Sequence, residues 1–94
     1  MTHASYPPSA SQASAIDQVA AWIGEHPERI GTYALLAARL MERDQLCYRT
    51  VFDRIVRAAM DAGRSEAAAR KQVYRGFAFA AAGHIEPPAE LEGG

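Results

Sequence analysis

The chain has 94 residues, 49% of them hydrophobic and 22% charged, with a formal net charge of −1. That size and balance fit one globular domain and exclude a multidomain enzyme. A domain this small leaves much apolar surface uncovered, so self-association, most simply as a homodimer, is expected.

Residues 1–13, rich in Ser, Pro and Ala, and residues 87–94 (PPAELEGG) lack apolar periodicity and are expected to be disordered tails around one helical domain over 14–86. The N-terminal stretch has neither a basic region nor an apolar run, and no stretch approaches the ~18 apolar residues of a membrane span. A cytoplasmic protein without membrane contact is the expectation. Between the tails apolar residues recur at intervals of three and four, which predicts helices and no strands. The fold class is therefore all-α: a small four-helix domain, either a compact antiparallel bundle or a helix-turn-helix core plus one helix.

The first helix can start at Ser14, whose hydroxyl can cap the first turn, and it carries Ile16, Val19, Ala20 and Ile23 on one face. Gly24 and His26-Pro27 end it, and Pro27 can open a short helical turn of its own. The second helix is expected over about Thr32 to Arg43, with Tyr33, Leu36, Ala37 and Leu40 inward. The third, from Leu46 or Tyr48 to Ala62, turns Val51, Phe52, Ile55, Val56, Ala59 and Met60 inward. Arg49, Asp53, Arg57 and Asp61 follow one another at i, i+4 and form a ladder of alternating charge on its outer ridge, with Arg54 outside it. Gly63 suits the position after a helix end, and Ser65 can cap the fourth helix, Glu66 to about Ala82. There Ala69, Val73, Phe77 and Ala80 or Ala81 share a stripe, Glu66 can pair with Arg70, and Gly83-His84 closes the helix. The FAFAAA run is apolar on more than one face, so Phe79 is available to dock a second chain.

Charge is distributed unevenly. Residues 39–75 hold nine bases against five acids, a net of +4, while both flanks are acidic. This basic middle favours an anionic partner. Within it, residues 57–75 carry the features of a helix-turn-helix: Ala59 four before the turn glycine Gly63, Ser65 opening the second helix, and Arg70, Lys71, Gln72 and Arg75 on its outer face. Arg64 follows the turn glycine where an apolar residue is usual, and Ala69 stands where Val or Ile is usual. A second arrangement takes residues 36–40 as scaffold helix and residues 49–54 as reading helix, but its linker is longer than the usual turn.

The functional expectation is a small regulatory DNA-binding protein that contacts double-stranded DNA through Arg64, Arg70, Lys71, Gln72 and Arg75. The alternative is a non-enzymatic protein-interaction module, an adaptor, inhibitor or immunity-type protein, in which Trp22, Tyr74 and Phe79 anchor an apolar helical surface. No enzyme, cofactor, metal or small-molecule substrate is expected. The histidines His3, His26 and His84 have no Cys, Asp or Glu at ligand or triad spacing, and the glycines form no phosphate loop. Cys47, the single cysteine, is expected to be a small, half-buried apolar residue.

Overall fold

The computed structural model describes residues 8–84, with side chains from Ala15 onward. In chain order these residues form α1 (Pro8–Glu25), a 3-10 turn (Pro27–Arg29), α2 (Ile30–Asp44), α3 (Tyr48–Asp61) and α4 (Glu66–Ala81), with no strand among them. The all-α, four-helix expectation is met. The tails expected over residues 1–7 and 87–94 lie outside the described residues.

Helix α1 begins at Pro8, ahead of the expected Ser14, so residues 8–13 extend the helix. Proline at the first helical position gives up no intrahelical bond and arrives with its φ preset, and the Ser, Ala and Gln that follow do not break a helix. Three helix ends close in one way. At α3, Arg64 N–H donates to Ala59 O at 3.1 Å and Gly63 N–H to Met60 O at 2.9 Å, with Gly63 at φ +109°. At α4, His84 N–H donates to Phe79 O and Gly83 N–H to Ala80 O, with Gly83 at φ +95°. These are the paired bonds that satisfy orphan carbonyls when the next residue is left-handed. Helix α2 ends likewise, Leu46 N–H donating to Met41 O at 2.9 Å, but its left-handed residue is Gln45, at φ +55°. Ser65 caps α4 as the sequence indicates, its hydroxyl oxygen accepting from Ala68 N–H at 3.2 Å.

The helices pack in the ring order α1, α2, α4, α3, so that α1 and α4 barely meet. Ile23, Ile30, Ile55, Val19 and Val73 are the largest fully buried side chains. Closest of all is α2 on α4, where Gly76 faces Ala34 and the backbone of Gly31 and Leu35. That approach rotates α2 away from its expected stripe. Gly31, Ala34, Leu35 and Ala38 are buried with Ile30 and Ala37, whereas Tyr33, Leu36 and Leu40 are only partly so. Small residues occupy the tight contact and larger ones the margins.

Helices α3 and α4 form a closed antiparallel hairpin. Tyr48, at the start of α3, lies edge-on to Phe77, near the end of α4, with ring centroids 5.5 Å apart. Both stand about 20 Å along their helices from the Gly63 turn, and legs opened at a right angle would be about 30 Å apart there, beyond the span of two aromatic side chains. The elbow of a helix-turn-helix, about 90–120°, is therefore not the geometry of this pair.

Candidate nucleic-acid interface

The outward face of α4 follows from its inward one. Ala69, Val73, Gly76, Phe77 and Ala80 are buried against α2 and α3. At 100° per residue this turns Ala67, Lys71, Tyr74 and Ala78 to the opposite side, with Arg70 and Arg75 on its flanks. Tyr74 is 61% exposed and Tyr48 50%, more than any other large apolar side chain described. Tyr74 lines a hollow with Arg75, Ala78, Phe79, Ala82 and His84, and Arg70 is exposed on the α3 side of the helix. This arginine is one turn before Tyr74, and with Tyr48, Arg49, Phe52 and Asp53 it bounds an open groove of about 430 Å³ between α3 and α4.

Of the five expected DNA contacts, two point elsewhere. Arg64 is half-buried; its guanidinium donates to Gln72 Oε1 at 3.3 Å and to the carbonyl of Pro27 at 3.2 Å. This bridge ties the start of α4 to the turn before α2, and it occupies both Arg64 and Gln72. The polar residue in the usual apolar position after the turn glycine is thereby explained: it has a carbonyl to satisfy. Arg70 pairs with Glu66 at 3.1 Å, as i, i+4 spacing indicates, both side chains being more than half exposed. Such a surface pair is weak and is readily exchanged for another anion. Lys71 is exposed and makes no ion pair among the described residues, and Arg75 is half-buried with a partner of its own.

Helix α3 contributes Tyr48, which sequence reasoning assigned to no site, and Arg49, which it weighed only within the alternative reading helix over residues 49–54. Tyr48 is held by a stacked contact with Phe52 (centroids 5.6 Å, planes 10° apart) and by the edge of Phe77. Arg49 makes no ion pair among the described residues, so the expected charge ladder shortens to Arg57–Asp61, at 3.5 Å. Arg54 instead crosses to Asp17 of α1 at 3.1 Å. Only the antiparallel closure of the hairpin brings Tyr48 and Arg49 beside Arg70, and no local spacing signals it.

The other singled-out residues are dispersed. Trp22 is at the end of α1, 36% exposed, with its ring 5.9 Å from Tyr33. Phe79 is partly buried against the core and meets the His84 ring edge-on at 5.0 Å, so it is not a free docking anchor. Met60, expected inward, is exposed at the end of α3. Cys47 is exposed rather than half-buried, because it is the cap residue before α3 and precedes the buried stripe. Its thiol is held below the usual range, first by the backbone N–H of Thr50, then by the Thr50 hydroxyl and the N–H and charge of Arg49. Arg43 and Asp44 grip each other through two bonds of 2.9 Å, which lowers the Asp44 carboxyl below its ordinary value.

Among the described residues no group of three or more His, Cys, Asp or Glu could hold a metal ion, and the buried set contains no polar or charged side chain. No helix among them is long and apolar enough to cross a membrane. Comparison with known proteins adds no relative: no family model, characterised sequence or solved structure matches the chain.

Proposed function

We propose that the protein is a non-enzymatic nucleic-acid-binding module that acts through the outer face of α4 and the adjoining start of α3. One observation carries the reading: the two exposed rings each stand beside cations, Tyr48 with Arg49 and Arg70 around one open groove, and Tyr74 one turn after Arg70 and Lys71 and with Arg75 at a second hollow. Arginine and lysine neutralise phosphates, and exposed aromatics among them supply contacts to bases. Arg75 stands at the edge of the same face, while Arg64 and Gln72 support it structurally. Dimerisation belongs to the same proposal, since two copies would double the phosphates engaged.

The test is fluorescence anisotropy of a labelled oligonucleotide titrated with protein at about 50 and about 200 mM salt. Affinity should fall with salt, and changing Arg49, Arg70 and Lys71 together to alanine should abolish binding while leaving the fold intact. A triple variant that binds as the parent does would remove this face from the assignment.

A protein partner is the second reading. What favours it is that Arg54, Arg57 and Arg70 already hold Asp17, Asp61 and Glu66. It requires absence of nucleic-acid binding even at low salt.

A further inference from the structure

We infer that the nucleic acid this face takes is single-stranded, its unpaired bases stacking on Tyr74 and on Tyr48 while Arg49, Arg70 and Lys71 meet the intervening phosphates. The inference rests on the nucleic-acid reading above and narrows it to one substrate class.

Three features of the site lead there. First, the hairpin is shut. Helix α4 has α2 on one side and α3 on the other, and the Tyr48, Phe52 and Phe77 rings join the far ends of α3 and α4 at centroid distances of 5.5–5.6 Å. A recognition helix enters a major groove by standing proud of its scaffold at an elbow, and here the elbow is closed. The groove between α3 and α4 on this face is open, a place where a strand can lie.

Second, the most exposed large side chains are rings flanked by cations. Tyr74 is 61% and Tyr48 50% exposed; Arg49 and Arg70 line the groove beside Tyr48, and Arg75 lines a second hollow with Tyr74. A duplex hides the faces of its bases inside the stack, so it offers these rings only backbone. An unpaired base offers a π-face to any ring, whatever its sequence, worth about 1–3 kcal/mol per base. Tyr48 is also fixed before binding, by Phe52 behind it and Phe77 at its edge, so little rotamer freedom is lost when a base stacks. The groove beside it, about 430 Å³ and open, has room for a base with Arg49 and Arg70 at its rim.

Third, the electrostatics are too modest for a duplex reader. The face presents Arg49, Arg70 and Lys71, bordered by Asp53 and Glu66, on a chain of net charge −1. Three phosphate contacts give a salt slope of about −2 on a single strand and less than a duplex binder needs to hold on at physiological salt. Stacking supplies what the charges lack.

The experiment compares a fluorescein-labelled mixed-sequence 20-mer of DNA as a single strand and as a duplex, by anisotropy at about 50 mM salt. The single strand should bind the more tightly. Tyr74→Leu should weaken it by about 5- to 150-fold, Tyr74→Phe should retain binding to within about twofold, and neither should alter the weaker duplex affinity. Tyr74 makes no ring contact among those described, so its variants should keep the parent thermal transition, whereas Tyr48→Leu loses packing on Phe52 and Phe77 and is the supporting variant only. Equal or tighter duplex binding overturns the single-strand inference and leaves the nucleic-acid reading standing. Single-strand preference insensitive to Tyr74→Leu overturns the stacking assignment. Binding to neither probe overturns the nucleic-acid reading and this inference with it.

Discussion

Replacing Gly76 by alanine tests the central packing feature of the fold, because the general rule and this structure predict opposite signs. Within a helix, glycine to alanine is ordinarily stabilising by up to about 1 kcal/mol, since glycine loses more backbone freedom on folding. At position 76 the added Cβ would sit 2.6 Å from the Ala34 Cβ, 2.8 Å from the Gly31 carbonyl oxygen and 2.9 Å from the Leu35 nitrogen. Carbon atoms prefer separations of about 3.5–4.0 Å, so α4 must retreat from α2 by about 1 Å. Two of the three obstacles are backbone and cannot swing aside. Overpacking costs about 1–3 kcal/mol, and backbone clashes put this site at the upper end. Subtracting the propensity gain leaves a net loss of about 2 kcal/mol, equivalent to a fall in Tm of roughly 10 °C for a chain of this length. The internal control is Gly24→Ala, where nothing lies within 4 Å of the new methyl. It should be stabilising by a few tenths of a kcal/mol, being near the end of α1. Urea denaturation followed by far-UV circular dichroism measures both. Adding Ala34→Gly to Gly76→Ala removes the 2.6 Å contact and leaves the two backbone contacts, so it should reduce the coupling without abolishing it. A Gly76→Ala protein as stable as the parent would refute the close approach of α2 and α4.

Gln45→Gly should stabilise the protein by about 0.5–1 kcal/mol in the same assay, because Gln45 holds φ +55°, where a Cβ is strained. An unchanged or lower midpoint would show that the side chain offsets the strain. Arg64→Ala should destabilise by about 1–2 kcal/mol, leaving the Pro27 carbonyl without its donor, and should leave oligonucleotide affinity unaltered; a selective loss of affinity would return Arg64 to the binding face. The Cys47 thiolate is favoured by Thr50, so alkylation by iodoacetamide should rise with pH through a midpoint below that of a free thiol. In Thr50→Val, which keeps the backbone donor and loses the hydroxyl, the midpoint should move upward part of the way; no movement would remove the hydroxyl from the cause.

Where the sequence was legible, local chemistry decided the outcome. The α4 stripe of Ala69, Val73 and Phe77 is buried as its spacing indicates, and of Ala80 and Ala81 at its end it is Ala80 that is buried. Gly63, Ser65 and Gly83 mark helix boundaries through one residue's φ or one hydroxyl, and Glu66 finds Arg70 one turn away. What escaped depends on a neighbouring helix. The buried face of α2 is chosen by Gly76 across the interface, which admits Ala34 and Gly31 where Leu36 and Leu40 would not fit. Hydrophobic size ranked the wrong side, although Gly31, Ala34 and Ala38 on one helix and Ala69, Gly76 and Ala80 on the other were an available pattern of small residues. Arg64 looked like an outward base because its acceptor, Pro27 O, is 37 positions away. Tyr48 joins the candidate site only through the hairpin, and the ladder expected on α3 gave no hint that Arg49 would stand apart from it.

Packing and the candidate site are two sides of one helix. Gly76 and Tyr74 are two residues apart, about 200° around the axis, so pressing one against α2 turns the other toward solvent. The basic segment is then thinned by the same fold. Arg54 is drawn to α1, Arg57 runs along α3 to Asp61, and Arg64 turns inward to Pro27. Of nine bases between residues 39 and 75, Arg49 and Arg70 are left at the groove beside Tyr48, with Lys71 exposed one turn before Tyr74 and Arg75 lining a hollow with it. A face assembled in this way cannot rely on charge alone. On the single-strand proposal its discrimination comes from Tyr74 and Tyr48, and a substitution that moves α4 on α2 should disturb ring spacing more than it disturbs the local field, changing selectivity before salt dependence.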